Sequence, residues 1–243
     1  MTLARTLATA RRVLGQLRHD PRTLALLLAV PILLMGLLAW MLPGPVFDRW
    51  GAPLLGIFPL TVMFLVTSVA TLRERTGGTL ERLLSMPLGK GDLIFGYAAA
   101  FALLALAQAT IVSLVTFGVF ELQVRGSAWL VSLVAVVDAL LGTALGLFVS
   151  AFAATEFQAV QFMPVVLIPQ LLLCGLLVGT DALPDVLRWI SQVLPLTYAV
   201  EATREVLASP GVTATFRFDV LVIAAYVIAL LGLGAATLRR RTP

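Results

Sequence analysis

Few side chains in this 243-residue chain can hold a metal, attack a bond or carry a proton, and their spacing narrows the chemistry further. His19 is the only histidine and Cys174 the only cysteine, so there is no imidazole cluster and no internal disulfide. A nucleophile needs a base within reach and a third group to orient it. One histidine close to the N-terminus supplies no such set. No Gly-x-x-x-x-Gly-Lys-Ser/Thr loop is present to cradle a phosphate. The nearest tripeptide, Gly89-Lys90-Gly91, lacks the upstream glycine and the hydroxyl. Asp138 stands apart, an acid well inside an apolar stretch. Gly142, Gly146 and Ser150 follow it at steps of four, on one helical face. The chemistry open to Asp138 is proton binding or a buried hydrogen bond.

The elements that must position these residues are read from hydropathy. Hydrophobic residues make up 60% of the chain, charged residues 12%, and the mean hydropathy is +1.00. Ordinary soluble domains are about half apolar and about a quarter charged, so a soluble or disordered protein is excluded. Near-continuous apolar runs such as Leu24–Leu28 and Val131–Val137 exclude the alternation of a membrane barrel. Six stretches reach the roughly 20 residues that cross a bilayer: Leu24–Leu42, Pro53–Leu72, Leu93–Phe120, Trp129–Ala154, Phe157–Val178 and Val220–Leu238. The fold class expected is an all-α membrane protein with six spans. With the N-terminus inside, the cytoplasmic segments carry 12 of the 17 Lys and Arg residues. The positive-inside rule then puts both termini in the cytoplasm. The basic excess reads as affinity for anionic lipid headgroups, not for nucleic acid. The chain is expected to begin with an amphipathic helix and not with a cleavable signal: Leu3, Leu7, Val13, Leu14 and Leu17 share a face that could lie on the inner leaflet.

A charge at mid-membrane depth costs about 2.5 kcal/mol or more. Asp138 must therefore face protein or water, or be protonated. Either it is a polar spot on a translocation path or dimer seam, with Gly142-x-x-x-Gly146 permitting close helix approach, or it bonds to a neighbouring helix such as the one carrying Gln108, Thr110, Ser113 and Thr116. Between spans five and six, Val186, Ile190, Val193 and Leu194 form an apolar stripe bounded by Pro184 and Pro195. Thr197 can cap a second helix, in which Glu201 and Glu205 stand four apart with Arg204 nearby.

The loop after span two runs from Arg73 to Asp92. Gly77-Gly78 makes a turn, Thr79 can cap a short helix with Glu81 in its first turn, and Pro87 stops it. Leu80, Leu83 and Leu84 share one face; Glu81, Arg82 and Ser85 form the polar remainder, with Met86 at the end. Two turns cannot bury that leucine face against themselves, so it needs a membrane surface or another protein.

The stretch Arg73–Asp92, continuing into Leu93-Ile-Phe-Gly-Tyr97, resembles the signature of the ABC transporter type-2 permeases, the drug-resistance exporters of the daunorubicin type in particular. His19-Asp-Pro-Arg-Thr23 and Leu194-Pro-Leu-Thr-Tyr-Ala-Val-Glu-Ala-Thr-Arg204 fit the same family, so the resemblance covers essentially the whole chain. It implies a single permease domain, 1–243: a cytoplasmic amphipathic leader at 1–23, spans 1–5 within 24–178, an extracytoplasmic helical segment at 179–219 dipping back into the outer leaflet, and span 6 at 220–238. It implies pairing with a second permease copy, as a homodimer, and with two copies of an ATPase subunit. ATP and Mg would be held by that partner and no cofactor by this chain. Thr79–Met86 would dock in a cleft of the ATPase, the leader would be an elbow helix, and Pro195, Tyr198, Glu201 and Arg204 belong to the outer-side motif.

The function expected is export of an amphiphilic substrate, such as a drug, a lipid or a lipid-linked glycan, across the cytoplasmic membrane. Phe58, Phe64, Phe101, Phe117, Phe148 and Met163 are candidates for an apolar path. The alternative is an ion-coupled carrier using Asp138. An intramembrane enzyme lacks the convergent polar groups it would need.

Overall fold

The computed structural model describes residues 3–77 and 90–237, with the side chains of 3, 90–94, 235 and 237 left aside. The expected coupling residues Thr79, Leu80, Glu81, Arg82, Leu83, Leu84, Ser85 and Met86 lie outside the described residues.

The described residues form nine α-helices and one 3-10 turn, with no strand among them. In chain order they are α1 (Leu3–Arg18), α2 (Pro21–Met41), α3 (Gly44–Thr76), α4 (Lys90–Gly118), α5 (Ala128–Ser150), α6 (Glu156–Leu173), the turn Thr180–Ala182, α7 (Asp185–Val193), α8 (Pro195–Ala208) and α9 (Ala214–Thr237). Six of them, α2 to α6 and α9, are long and apolar enough to cross a membrane. The chain is a multi-pass helical membrane protein.

Caps, and not the edges of the apolar runs, decide where the spans begin and end. α3 starts nine residues ahead of Pro53, at Gly44 behind the extended Pro43, and so carries Asp48 and Arg49 on helical backbone. α6 stops at Leu173, short of Val178: the Cys174 amide donates to Gln170 O at 2.8 Å, and Gly175 then turns the chain at φ +87°. α9 begins at Ala214, six residues before Val220, with Thr213 Oγ1 accepting from the Phe216 amide at 3.1 Å. The motif His19–Thr23 is a helix start. Asp20 is the N-cap of α2, and its carboxylate accepts from the Thr23 amide at 3.2 Å and the Thr23 hydroxyl at 2.6 Å. Those bonds hold the Asp20 carboxyl below its ordinary range. Pro21 supplies the preset φ of the first turn.

α3 and α5 pack together most extensively and carry the core, with Leu55, Leu60, Met63 and Phe64 meeting Leu130, Val134, Leu141 and Leu145. Phe64 and Phe101, expected as path candidates, are fully buried in this packing. α2, α6 and α9 stand at the perimeter and leave Leu33, Trp40, Phe157, Val165, Leu221 and Ile228 exposed. Hydrocarbon is as apolar as these side chains, so a bilayer covers them at no cost.

Prolines inside spans free carbonyls that must be satisfied elsewhere. Pro31 has no N–H to offer Leu27 O, four residues back. The Gln108 side chain, fully buried in α4, donates to that oxygen at 2.8 Å.

Candidate functional site

Three clusters of polar or close-packed residues lie at successive depths of the bundle. At the end that bears residues 78–89, a single guanidinium joins three helices. Arg12 of α1 donates to both Glu74 oxygens, at 3.3 and 3.1 Å, and its Nη2 also donates to the Tyr97 hydroxyl at 2.6 Å. The guanidinium carbon is 5.7 Å from the centre of the Tyr97 ring. In the orientation that satisfies its amide, Gln16 donates to Glu74 Oε1 at 2.9 Å and accepts from Arg12 at 3.2 Å. Glu74 is in the last turn of α3, just before the loop, and Tyr97 is near the start of α4, just after it. α1 is held against α4 by contact as well: a Cβ on Gly96 would sit 2.5 Å from Thr9 Cβ. The face it buries is Thr9, Ala10 and Val13, while Leu7 is 58% exposed. Of the face expected to rest on the inner leaflet, Val13 is buried and Leu14 and Leu17 pack against the core, while Leu7 is left outside, so α1 docks on protein through part of that face.

The same end of α3 is tied to the other half of the bundle. Arg73 makes a two-pronged pair with Glu156, the first residue of α6, at 2.8 and 2.9 Å, and Arg75 donates to Ser150 O at the end of α5. The basic residues of this end were legible only as topology signals. The acids among them, Glu74 and Glu156, were the sequence cue to fixed partners.

At mid-depth, Asp138, Gly142 and Gly146 of α5 face Gly56, Leu60 and Phe64 of α3. Both helices run in the same direction, so contacts four residues apart on each repeat every ~6 Å along a parallel seam. A Cβ on Gly142 would lie 2.8 Å from the Leu60 carbonyl carbon and closer still to its oxygen; one on Gly146 would lie 2.5 Å from Phe64 O. Backbone therefore meets backbone. The glycine strip is occupied inside the chain, by span two and not by the Gln108 helix. Asp138 is 1% exposed, its Oδ2 lies against Gly56, and its Oδ1 has no hydrogen-bond partner among the described residues.

At the opposite end, the motif at 194–204 staples the segment before it. The last carbonyls of a helix lack internal partners. Those of α7 are met by three hydroxyls: Thr197 donates to Ser191 O at 2.7 Å, Tyr198 to Gln192 O at 2.6 Å and Tyr226 of α9 to Val193 O at 2.6 Å. Thr197 is therefore not the cap of α8, which starts at Pro195 behind Leu194. The Thr180 hydroxyl donates to Glu201 at 3.3 Å. Arg204 donates to Gly175 O and to Leu176 O, just past the end of α6, and leaves Glu201 and Glu205 unpaired with it. Thr180, Asp181, Arg188, Gln192, Tyr198 and Glu201 line a cavity of about 330 Å³ here. Burial, with Tyr226, Glu201 and Asp219 beside it, pushes the Tyr198 phenol up. Among the described residues no three His, Cys, Asp or Glu side chains are placed to hold a metal.

These clusters divide the bundle into a charged junction at one end, a close-packed seam, and a stapled polar cap at the other. The family model of the ABC-2 type transporter matches residues 5–208. The chain belongs to the ABC-2 type transporter family. It is 30% identical over 142 residues to ABC transporter G family member 20 of Dictyostelium discoideum, which covers 58% of this chain and 20% of that protein. It is 28% identical over 144 residues to the probable multidrug ABC transporter permease YbhR of Escherichia coli, 59% of this chain and 39% of that one. To the probable multidrug permease YbhS it is 22% identical over 204 residues, 83% of this chain and 54% of that one. The chain thus spans from a fifth to about half of these relatives.

Proposed function

We propose that this ABC-2 permease is the transmembrane subunit of an ATP-driven exporter that moves an amphiphilic substrate outward across the cytoplasmic membrane. ATP and Mg are bound by a separate ATPase. Two permease copies, each with an ATPase, make the working unit, and both termini and the loop 78–89 face the cytoplasm. The reading rests on the junction at Arg12. The two stems of the loop that would dock on the ATPase are tied to each other through Arg12, Glu74 and Tyr97, and α3 is tied onward to α5 and α6 through Arg75 and Arg73. A push on the loop is thereby delivered to four membrane helices and not absorbed by one. The 12 basic residues assigned to the cytoplasmic side support the orientation. The exposed apolar faces of α2 and α6 leave room for lipid and for a second copy.

The test is co-purification of the full-length chain with its ATPase, followed by substrate-stimulated ATP hydrolysis in proteoliposomes. Leu83→Glu with Leu84→Glu should still insert but lose stimulation and pull-down. Wild-type ATPase binding by that double variant would refute the docking role. The buried Asp138, whose Oδ1 has no partner among the described residues, favours a second reading, an ion-coupled carrier. Asp138→Asn separates the two. ATP-driven transport persists in the exporter, whereas gradient-driven transport without any ATPase, abolished by the substitution, would establish the carrier.

A further inference from the structure

Outside the basic residues assigned to the cytoplasmic side stand Arg49, Arg125, Arg188, Arg204 and Arg217. Two of them are engaged by the fold. Arg188 lies 3.6 Å from the Asp185 carboxylate and donates to the carbonyls of Asp181 and Leu183, and Arg204 donates to those of Gly175 and Leu176. Arg49 and Arg125 are different: both are exposed, and neither side chain makes a hydrogen bond or an ion pair among the described residues. They nevertheless line one cavity of about 380 Å³ at the end opposite the loop, with Asp48, Gln123, Val124 and Leu207.

The backbones that carry this charge are fixed. Arg49 stands in the second turn of α3. Arg125 is on the segment between α4 and α5, and that segment is pinned on both sides of it. The Gln123 amide donates to Asp48 Oδ1 at 2.8 Å, and the Gly126 amide donates to Val206 O at 2.9 Å. A Cβ on Gly126 would sit 2.8 Å from Val206 Cγ1, so the segment lies directly on α8 there. Asp48 is the one acid among the described residues of the lining, and one of its oxygens already takes the Gln123 amide. Two guanidinium groups against one carboxylate leave the lining with an excess of one positive charge. Like charges gathered in one groove repel unless an anion lies between them. A guanidinium meets a phosphate with two parallel N–H bonds, which makes an arginine pair a site for that group.

The tryptophans set the depth. All four lie at this end: Trp40 one residue before the end of α2, Trp50 beside Arg49, Trp129 at the second residue of α5 and Trp189 on α7. Trp40, Trp129 and Trp189 are 87%, 60% and 73% exposed. Exposed indoles gather where a membrane meets water, so the groove opens at the level of lipid headgroups. Val124 and Leu207 give it an apolar wall for the glycerol side of a phosphate ester. We propose that Arg49 and Arg125 form a binding site for the phosphodiester of a phospholipid in the leaflet at the end opposite the loop. A phosphodiester carries one negative charge, which balances the excess of the lining. The site needs neither ATP nor export and stands apart from the exporter reading.

The full-length chain in dodecyl maltoside, with phosphatidylglycerol added, is the material for the test, and bound lipids are counted by native mass spectrometry. At a fixed low lipid concentration, Arg49→Gln with Arg125→Gln should retain one lipid fewer than wild type. Each single variant should need about tenfold more lipid for the same occupancy, the size of one lost charge-assisted bond. Arg217→Gln, which removes another unpaired arginine of this end from outside the lining, should behave as wild type. If the double variant fails to fold, judged by circular dichroism and size exclusion, the two single variants decide. An equal lipid count in wild type and the double variant, or wild-type occupancy in both single variants, overturns the site. Glycerophosphoglycerol, the same headgroup without acyl chains, should compete only weakly. Competition at the lipid's own concentration would make the groove a site for a soluble phosphodiester and overturn the lipid assignment.

Discussion

Replacing Gln108 by Leu tests how the bundle tolerates a proline inside its first span. Pro31 leaves Leu27 O without its helical donor, and Gln108 Nε2 supplies one at 2.8 Å across the α2–α4 contact. Both Gln108 and Leu27 are at most 2% exposed, so no water replaces the lost bond. An acceptor stranded in such a place costs ~1–3 kcal/mol, although measured bonds between membrane helices average nearer ~0.6 kcal/mol. The Leu27 carbonyl has lost the donor four residues on, which argues for a value between these figures, about 1–2 kcal/mol. The opposing effect is small but real. Gln108 Oε1 is itself buried without a partner among the described residues, and Leu removes that defect. The decisive experiment is a double-variant cycle with Pro31→Ala. That substitution restores the N–H four residues after Leu27, so Gln108→Leu should then cost nothing or stabilise. The expected coupling is ~1–2 kcal/mol, well above the ~0.3–0.5 kcal/mol scatter of independent sites. The assay is unfolding of the purified chain in mixed micelles by titration with sodium dodecyl sulfate, followed by circular dichroism. Equal costs of Gln108→Leu in the two backgrounds would refute the carbonyl-rescue argument, whatever the sign of Pro31→Ala alone.

Gly142→Ala should destabilise by ~1–3 kcal/mol, because its Cβ meets the Leu60 backbone and not a movable side chain; Gly232→Ala, with nothing within 4 Å, should be neutral or slightly stabilising in the same unfolding assay. Arg12→Met leaves Glu74 with the Gln16 amide alone and removes the Arg12 bond to Tyr97. It should lower substrate-stimulated ATPase activity while ATPase pull-down persists, and loss of neither would deny the junction its coupling role. Asp20→Ala should lower the melting temperature at neutral pH. The folded Asp20 carboxyl sits below its ordinary value of ~3.9, so its contribution is present above that value and is lost as pH falls through the folded pKa. The melting curves of variant and wild type should therefore converge in acid; a gap that stays constant with pH would sink the capping role.

How much of the molecule is legible in its sequence follows the range of the forces involved. Six apolar runs of about bilayer length were legible because a span must bury its own backbone in hydrogen bonds whatever surrounds it. The outward apolar stripe of Val186, Ile190 and Val193 and the helix start at Asp20-Pro21 were legible for the same reason: each rests on residues within one or two turns. Helix ends were less so, since α6 ends on a Cys174 cap and a Gly175 turn inside a run that hydropathy reads as continuous. Gly142 and Gly146 announced a close approach, yet nothing on their own helix says that span two fills it. The partners of Arg12, Gln108 and Arg204 stand 62, 81 and 29 residues away along the chain. Charge and hydrogen-bonding capacity belong to the residue, but a partner belongs to the packing. Only the tertiary structure turns a basic topology signal into a clasp between three helices, and the motif at 194–204 into a staple for the end of α7.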